Sequence, residues 1–294
     1  MKKKISYKKL IIPLLLILLT VTALWIAFSN KTVEVNHITV TSHKLPSAFD
    51  GYKIAHVSDL HNANFGKDNQ KLISLLKDAD PNMIAITGDM LDSRDAGYEN
   101  DITFAKKAAK IAPCYFIPGN HEAVSDEYLD LKNALFHAGV TVIEDKKTAV
   151  KINGEKIILY GICDPLIKTG RFSGDSKTVT EKRLKSFFVD TMDFNVLLAH
   201  RPEHFELYAK YGFDVVLSGH AHGGQFRLPF IGGVYAPNQG LFPKYDSGLY
   251  TQDGTNMIVS RGLGKSIIPF RINNRPEIII VELKTNNNTE QIKG

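Results

Sequence analysis

The sequence predicts a layered α/β fold, and three observations carry that expectation. Apolar runs that read as strands recur along the chain. Stretches with helical spacing separate several of them. Five short clusters of Asp, Asn and His each follow such a run directly. The runs are 53–58, 83–87, 115–118, 196–199 and 215–218. In open α/β sheets ligands gather beyond the carboxyl ends of strands, and all five clusters lie at such ends.

Residues 10–28 form 19 consecutive positions without a charge, close to the ~20 needed to cross a bilayer. Pro13, Thr20 and Thr22 are compatible with a membrane helix, and Trp25 near its far end suits the interface. Lys2, Lys3, Lys4, Lys8 and Lys9 precede the stretch, and Lys31 alone follows closely. The positive-inside rule then places the N-terminus in the cytoplasm and the main domain outside. Residues 1–29 are thus expected to be a Lys-rich N-terminus plus a single-pass anchor in the cell membrane. A cleaved signal peptide competes, because Ala27-Phe28-Ser29 loosely fits a cleavage site. The apolar stretch nevertheless exceeds the usual core of ~7–15 residues. Either reading exports the domain, and the all-lysine basic set excludes a twin-arginine signal.

Residues 30–49 read as a linker and lead-in strand, residues 50–283 as the main domain and residues 284–294 as a polar, frayed tail. Within the domain, 68–80 carries Leu72, Leu75 and Leu76 at helical spacing, and Pro81 closes it. Ser125 caps a helix that ends near Gly139, and Pro202 opens one that stops at Gly212. Runs 156–162, 257–260 and 277–281 lack intervening helical patterns and predict antiparallel strands. Residues 223–256 alternate glycine with apolar and aromatic residues, which reads as a long ordered loop beside the last cluster.

The formal charge of +5 resides in the five N-terminal lysines, because residues 1–29 contain no acid. The neutral remainder lacks the broad electrostatic footprint of a nucleic-acid binder. Cys114 and Cys163, the only cysteines, read as buried thiols acting as small apolar residues; a disulfide between them, open to an exported domain, is the alternative, though nothing in the sequence brings the two together. The sequence specifies no oligomeric state.

The clusters carry the chemistry. They are Asp59-Leu60-His61, Gly88-Asp89-Met90-Leu91-Asp92, Gly119-Asn120-His121-Glu122, His200 and Gly219-His220-Ala221-His222. Oxygen and imidazole donors delivered from several strand ends suit a pair of divalent metals and metal-assisted attack of water on a phosphate ester. In this order the five blocks resemble the calcineurin-like metallophosphoesterase superfamily. Asp50-Gly51-Tyr52-Lys53-Ile54, His222-Gly223-Gly224-Gln225, Ser260-Arg261-Gly262-Leu263-Gly264 and Arg275-Pro276-Glu277-Ile278 are similar to its membrane-associated bacterial branch, the YkuE-type phosphodiesterases.

The resemblance implies a four-layer α/β/β/α sandwich of two mixed β-sheets with an N-terminal transmembrane helix. It also implies two divalent metal ions (Mn, Fe or Zn). One would be held by Asp59, His61, Asp89 and His222, and the other by Asp89, Asn120, His200 and His220. Asp89 and a hydroxide would bridge them, the hydroxide attacking phosphorus. His121 would be the catalytic residue, giving a proton to the leaving oxygen. The substrate would be a phosphate diester or pyrophosphate, lipid-linked and UDP-diacylglucosamine-like in some relatives. A phosphomonoesterase or phosphoprotein phosphatase, and a metal-stabilised binding protein, are the alternatives.

Other residues have plainer readings beside sharper ones. Asp92 is either a partner that orients a ligand or a helix cap, and Glu122 anchors its loop. His56 reads as a satisfied core histidine. Arg201, Arg227, Arg261 and Arg271 either meet phosphate or pair with acids. Phe226, Leu228, Pro229, Phe230, Ile231, Leu241 and Phe242 either touch lipid or wrap the core.

Overall fold

The computed structural model describes residues 7–167, 175–266 and 268–286. Lys2, Lys3 and Lys4 of the expected cytoplasmic end, and the tail from 287 on, lie outside them. The chain opens with α1 (Tyr7–Ser29). Its large apolar side chains from Ile11 to Trp25 are exposed, and over Ile11–Ser29 the mean hydropathy is 2.6. The helix is therefore long and apolar enough to cross a membrane. Thr20 Oγ1 donates to Leu16 O at 2.8 Å, so this hydroxyl is satisfied within the helix.

Strand and helix then alternate: β1 (Glu34–Ser42), β2 (Tyr52–Val57), α2 (Gln70–Ala79), β3 (Met83–Ile86), α3 (Glu99–Ala108), β4 (Cys114–Phe116), α4 (Asn120–Val124), α5 (Tyr128–His137) and β5 (Val140–Val142). The second half follows with β6 (Lys146–Ile152), β7 (Glu155–Ile162), α6 (Ser176–Lys185), β8 (Asn195–Ala199), α7 (Phe205–Lys210) and β9 (Val215–Ser218). Four two-residue strands come next: β10 (Arg227–Leu228), β11 (Gly232–Gly233), β12 (Tyr235–Ala236) and β13 (Gly240–Leu241). The chain closes with β14 (Gly248–Gln252), β15 (Thr255–Val259) and β16 (Glu277–Thr285).

These strands form two six-stranded sheets, ordered β1-β16-β2-β3-β4-β5 and β14-β15-β9-β8-β7-β6. Both are mixed. β2 to β5 run parallel, with β16 antiparallel to β2. β15, β9, β8 and β7 run parallel, with β14 and β6 as antiparallel edges. The three runs expected to be antiparallel therefore each pair one way with one neighbour and the other way with the next. β1 is more than a lead-in: it pairs with the whole of β16 as an edge strand.

Alternation along the central strands produces the layers. Ile278 and Ile280 of β16 share a cluster with Leu72 and Leu76 of α2, Phe104 of α3 and Leu131 of α5. Ile279, Val281 and Leu283 share another with Val196 and Leu198 of β8. Leu197 and Ala199 of β8 meet Phe205 and Tyr208 on the far side. Three apolar layers thus separate helix, sheet, sheet and helix, as the resemblance implied. Each fully buried Leu or Ile contributes roughly 1.5–3 kcal/mol. Neither Cys114 nor Cys163 is in a disulfide, and both are buried, in line with the apolar reading.

Candidate metal centre

The carboxyl ends of both sheets meet at one edge. Asp59 and His61 follow β2, Asp89 follows β3, and Asn120 opens α4 just beyond β4. From the second sheet His200 follows β8, and His220 and His222 follow β9. The chain turns so sharply there that Asp59 (φ 52°), His61 (φ 48°), Asp89 (φ 53°), His220 (φ 65°) and His222 (φ 47°) all adopt left-handed backbone. Such residues cost of order 1–3 kcal/mol each and persist where their surroundings over-determine them. Two glycines let the loops close. A Cβ on Gly88 would sit 2.6 Å from Gly119 N, and one on Gly219 would sit 1.9 Å from Ser58 Oγ.

All seven residues that the sequence singled out as metal donors are brought together. His200 Nε2 lies 3.2 Å from Asp89 Oδ2, 3.1 Å from Asn120 Oδ1 and 3.2 Å from His220 Nδ1. His222 Nε2 lies 3.3 Å from Asp59 Oδ1 and 3.2 Å from His61 Nε2. Asp89 Oδ2, 3.8 Å from His61 Nε2, joins the two halves. The donor atoms of Asp59, His61 and His222 fall within 4.8 Å of one another, as do those of Asp89, His200 and His220.

Hydrogen bonds on the outer side of three rings fix which nitrogen faces inward. His61 Nδ1 donates to Leu91 O (3.0 Å), His200 Nδ1 to Thr87 O (2.7 Å) and His220 Nε2 to Asn238 Oδ1 (2.8 Å). An imidazole that donates from one nitrogen offers the other as a ligand. The donor set therefore fits cations: carboxylate and amide oxygens plus inward-facing imidazole nitrogens.

The family model for calcineurin-like phosphoesterases matches residues 52–224, a span that contains all seven donors. The chain belongs to this family. It is similar to the uncharacterized metallophosphoesterase YkuE of Bacillus subtilis (strain 168), 28% identical over 262 residues, 87% of each chain. Phosphodiesterase YaeI of Escherichia coli (strain K12) is 28% identical over 244 residues, 79% of this chain and 82% of that one. A transmembrane protein with metallophosphoesterase domain from Danio rerio is 27% identical over 263 residues, 85% of this chain and 57% of its own. The chain is thus a metallophosphoesterase-family hydrolase, and the sequence resemblance to the YkuE branch is borne out.

Burial sets the charges of this metallophosphoesterase centre before any cation arrives. It pushes His61 down to about 4 and holds His220 and His222 well below the usual imidazole range. Burial also raises the Asp59 carboxyl to about 6, against the opposing pull of His200. His200 and Asp89 form an ion pair. Burial opposes both charges, but Asp89 lifts His200 to about 10 and His200 holds Asp89 well below its ordinary value. A cation can take His200 only after displacing its proton. Calorimetric titration of the metal-free protein with Mn²⁺ at pH 7, in buffers of different ionisation enthalpy, should show about one proton released. Apparent affinity should rise as pH rises toward 10. Uptake of protons, or affinity flat with pH, would contradict the pairing.

His121 is partly exposed and stands edge-on to the His61 ring, their centroids 4.5 Å apart. Ser93 N–H donates to its Nδ1 at 2.9 Å, so the neutral ring carries its proton on Nε2. Its own backbone N–H donates to Asp89 Oδ1 at 2.9 Å. Asp92 Oδ1 lies 3.6 Å from His121 Nδ1 and is held by Arg94 in a two-pronged pair. Asp92 therefore acts as a partner near the site and not as a helix cap; Tyr98 precedes α3. Glu122 anchors its loop as expected, accepting from the backbone N–H groups of Asp89 (2.8 Å), Leu91 (2.9 Å) and Gly119 (2.7 Å). Burial and the nearby Asp89 raise its carboxyl to about 7.

The other candidates resolve simply. Arg201 pairs with Asp164, Arg227 with Asp246, and Arg261 with Glu34 and Glu277. His56 is a buried core histidine, bonded through Nε2 to Thr87 Oγ1 at 2.9 Å, but only half satisfied, because its buried Nδ1 has no hydrogen-bond partner. Ser93, Arg94 and Asn238 were not singled out from sequence. Ser93 and Arg94 directly follow Asp92, and that adjacency is the one signal that could have found them.

Proposed function

We propose that this chain is a membrane-anchored, outward-facing phosphodiesterase. One cation would be held by Asp59, His61, Asp89 and His222, and the other by Asp89, Asn120, His200 and His220, with Mn, Fe or Zn all suited to such mixed oxygen and nitrogen donors. The observation that carries this is the pair of donor triads joined at Asp89, with outer hydrogen bonds fixing three of the rings. Two cations there would supply a field that polarises a phosphoryl oxygen and lowers the pKa of water to near neutrality. His121, with its proton on Nε2, would give that proton to the departing oxygen.

The adjoining pocket of about 550 Å³ favours a diester. Asp89, Asn120, His121, Arg94 and Arg201 line it. Both arginines are already neutralised, Arg94 by Asp92 and Arg201 by Asp164 and Glu203. Neither is left over for the second negative charge of a monoester. The exposed apolar surface of α1 and of Phe230, Ile231, Leu241 and Phe242 supports a lipid-linked substrate. Those loop side chains do not wrap the core; Phe230 is fully exposed.

With Mn²⁺ supplied, the full chain should hydrolyse bis(p-nitrophenyl) phosphate with kcat/KM at least about tenfold above that for p-nitrophenyl phosphate. Preference for the monoester would favour a phosphatase. Absence of Mn-dependent turnover on either would favour a binding protein.

A further inference from the structure

A second groove of about 1000 Å³ runs beside the metal centre, and one of its walls is the anchor helix itself. Ala23, Ile26 and Ala27 of α1 face Phe65, Leu263 and Phe270, while His61 and Asp92 line it on the metal side. The wall is fixed in place. Asn30 Nδ2 donates to Arg271 O (2.9 Å), Arg271 N donates to Asn30 Oδ1 (2.8 Å), and the Arg275 guanidinium lies 6.0 Å from the centre of the Phe28 ring. Asn30 thus ties the end of α1 to Arg271, whose guanidinium lies 3.3 Å from His222 Nδ1.

Three features say what would lie there. Ala23 and Ala27 are one turn apart on the same face as Ile26, and their small side chains leave the space open. One and two turns further into the apolar stretch, Leu19 and Leu16 continue that stripe and are exposed. The groove's lining is cationic in balance, with Lys31, Lys71, Lys265 and Arg271 against Asp92 and Asp95. Where the two cavities adjoin, Arg94 donates to Ser266 O at 2.8 Å; Arg94 and Ser266 line the metal pocket, while Asp92 and Lys265 line the groove.

Building on the phosphodiesterase reading, we infer that this groove holds the apolar chain of a lipid phosphodiester taken from the bilayer along α1. The phosphate passes Arg94 to the metal centre. The anchor is then part of the substrate site and not a tether alone.

The test uses the full chain in phosphatidylcholine vesicles with Mn²⁺ and two esters differing in one alkyl group, hexadecyl and methyl p-nitrophenyl phosphate. In each, the oxygen of water joins phosphorus, the bond to the aryl oxygen breaks, and the proton that water loses passes to the buffer. Nitrophenolate leaves with the electron pair and is read by its absorbance. Ala27→Trp fills the groove from the helix side, and Phe270→Ser removes the facing wall. Each should lower kcat/KM for the hexadecyl ester at least about tenfold while leaving the methyl ester within about twofold. Leu14→Trp, on the opposite face of α1, should change neither. Unchanged hexadecyl turnover in Ala27→Trp, or equal loss on both esters, would overturn the inference and leave the phosphodiesterase reading standing. If the unaltered chain hydrolyses neither ester, both fall together.

Discussion

Asp89→Asn should leave a folded protein that holds fewer than two metal ions and hydrolyses bis(p-nitrophenyl) phosphate at least about 10³-fold more slowly. Asp89 is the one carboxylate placed between both donor sets, 3.2 Å from His200 Nε2 and 3.8 Å from His61 Nε2. Cations about 3.5–4 Å apart repel strongly, and a shared anion offsets that repulsion. Asparagine keeps the size and an oxygen donor but removes the charge. Stability of the metal-free protein offers a second readout. His200, raised to about 10 by Asp89, contributes stability fully present below about pH 6.5 and lost as pH rises through about 10. That loss should vanish in Asp89→Asn, where His200 no longer has its partner. Chemical denaturation across pH 6 to 10 checks it. A variant with two ions per chain and a tenth of normal turnover would refute the bridging role.

His121→Ala should lower kcat by about 10²–10⁴-fold on a diester with an alkoxide leaving group, with metal content near normal. The defect should shrink when nitrophenolate leaves, because that anion needs no proton. Ser93 N–H on Nδ1 leaves Nε2 as the proton carrier, and the partly exposed ring can reach a substrate in the adjoining pocket. The competing geometry is also present: ligand atoms of His61, Asp92 and His121 lie within 4.8 Å of one another. Severe metal loss in His121→Ala would make His121 a ligand or a structural residue. A rate defect independent of the leaving group would exclude proton donation.

The strands that carry the donors were legible because each is a short, mostly apolar run ending in a polar cluster, as in Met83–Ile86 before Gly88-Asp89. Their assembly into two sheets was not, because periodicity describes one strand and not its neighbours. β16 shows the difference: its run of three isoleucines and a valine reads as a strand, but its parallel pairing with β1 and antiparallel pairing with β2 join residues more than 220 positions apart. Helices α3 and α6 escaped detection. The buried face of α3 includes the small side chains of Ala105 and Ala108, and α6 buries only Thr180 and Leu184, so neither has a strong apolar stripe. In the site, the donors were legible as motifs. Asn238, which orients His220, comes from the glycine-rich loop after β12, where no spacing links it to the motif. Arg201 shows a limit of another kind. Its place after His200 suggested phosphate, yet Asp164, which neutralises it, is 37 positions away.

Anomalous diffraction at the manganese edge, from crystals grown with excess Mn²⁺, is the most direct measurement. The expected result is two peaks about 3.5–4 Å apart with Asp89 between them, one beside Asp59, His61 and His222 and the other beside Asn120, His200 and His220. A single peak, or none, with Asp89 still paired to His200, would contradict a two-cation centre.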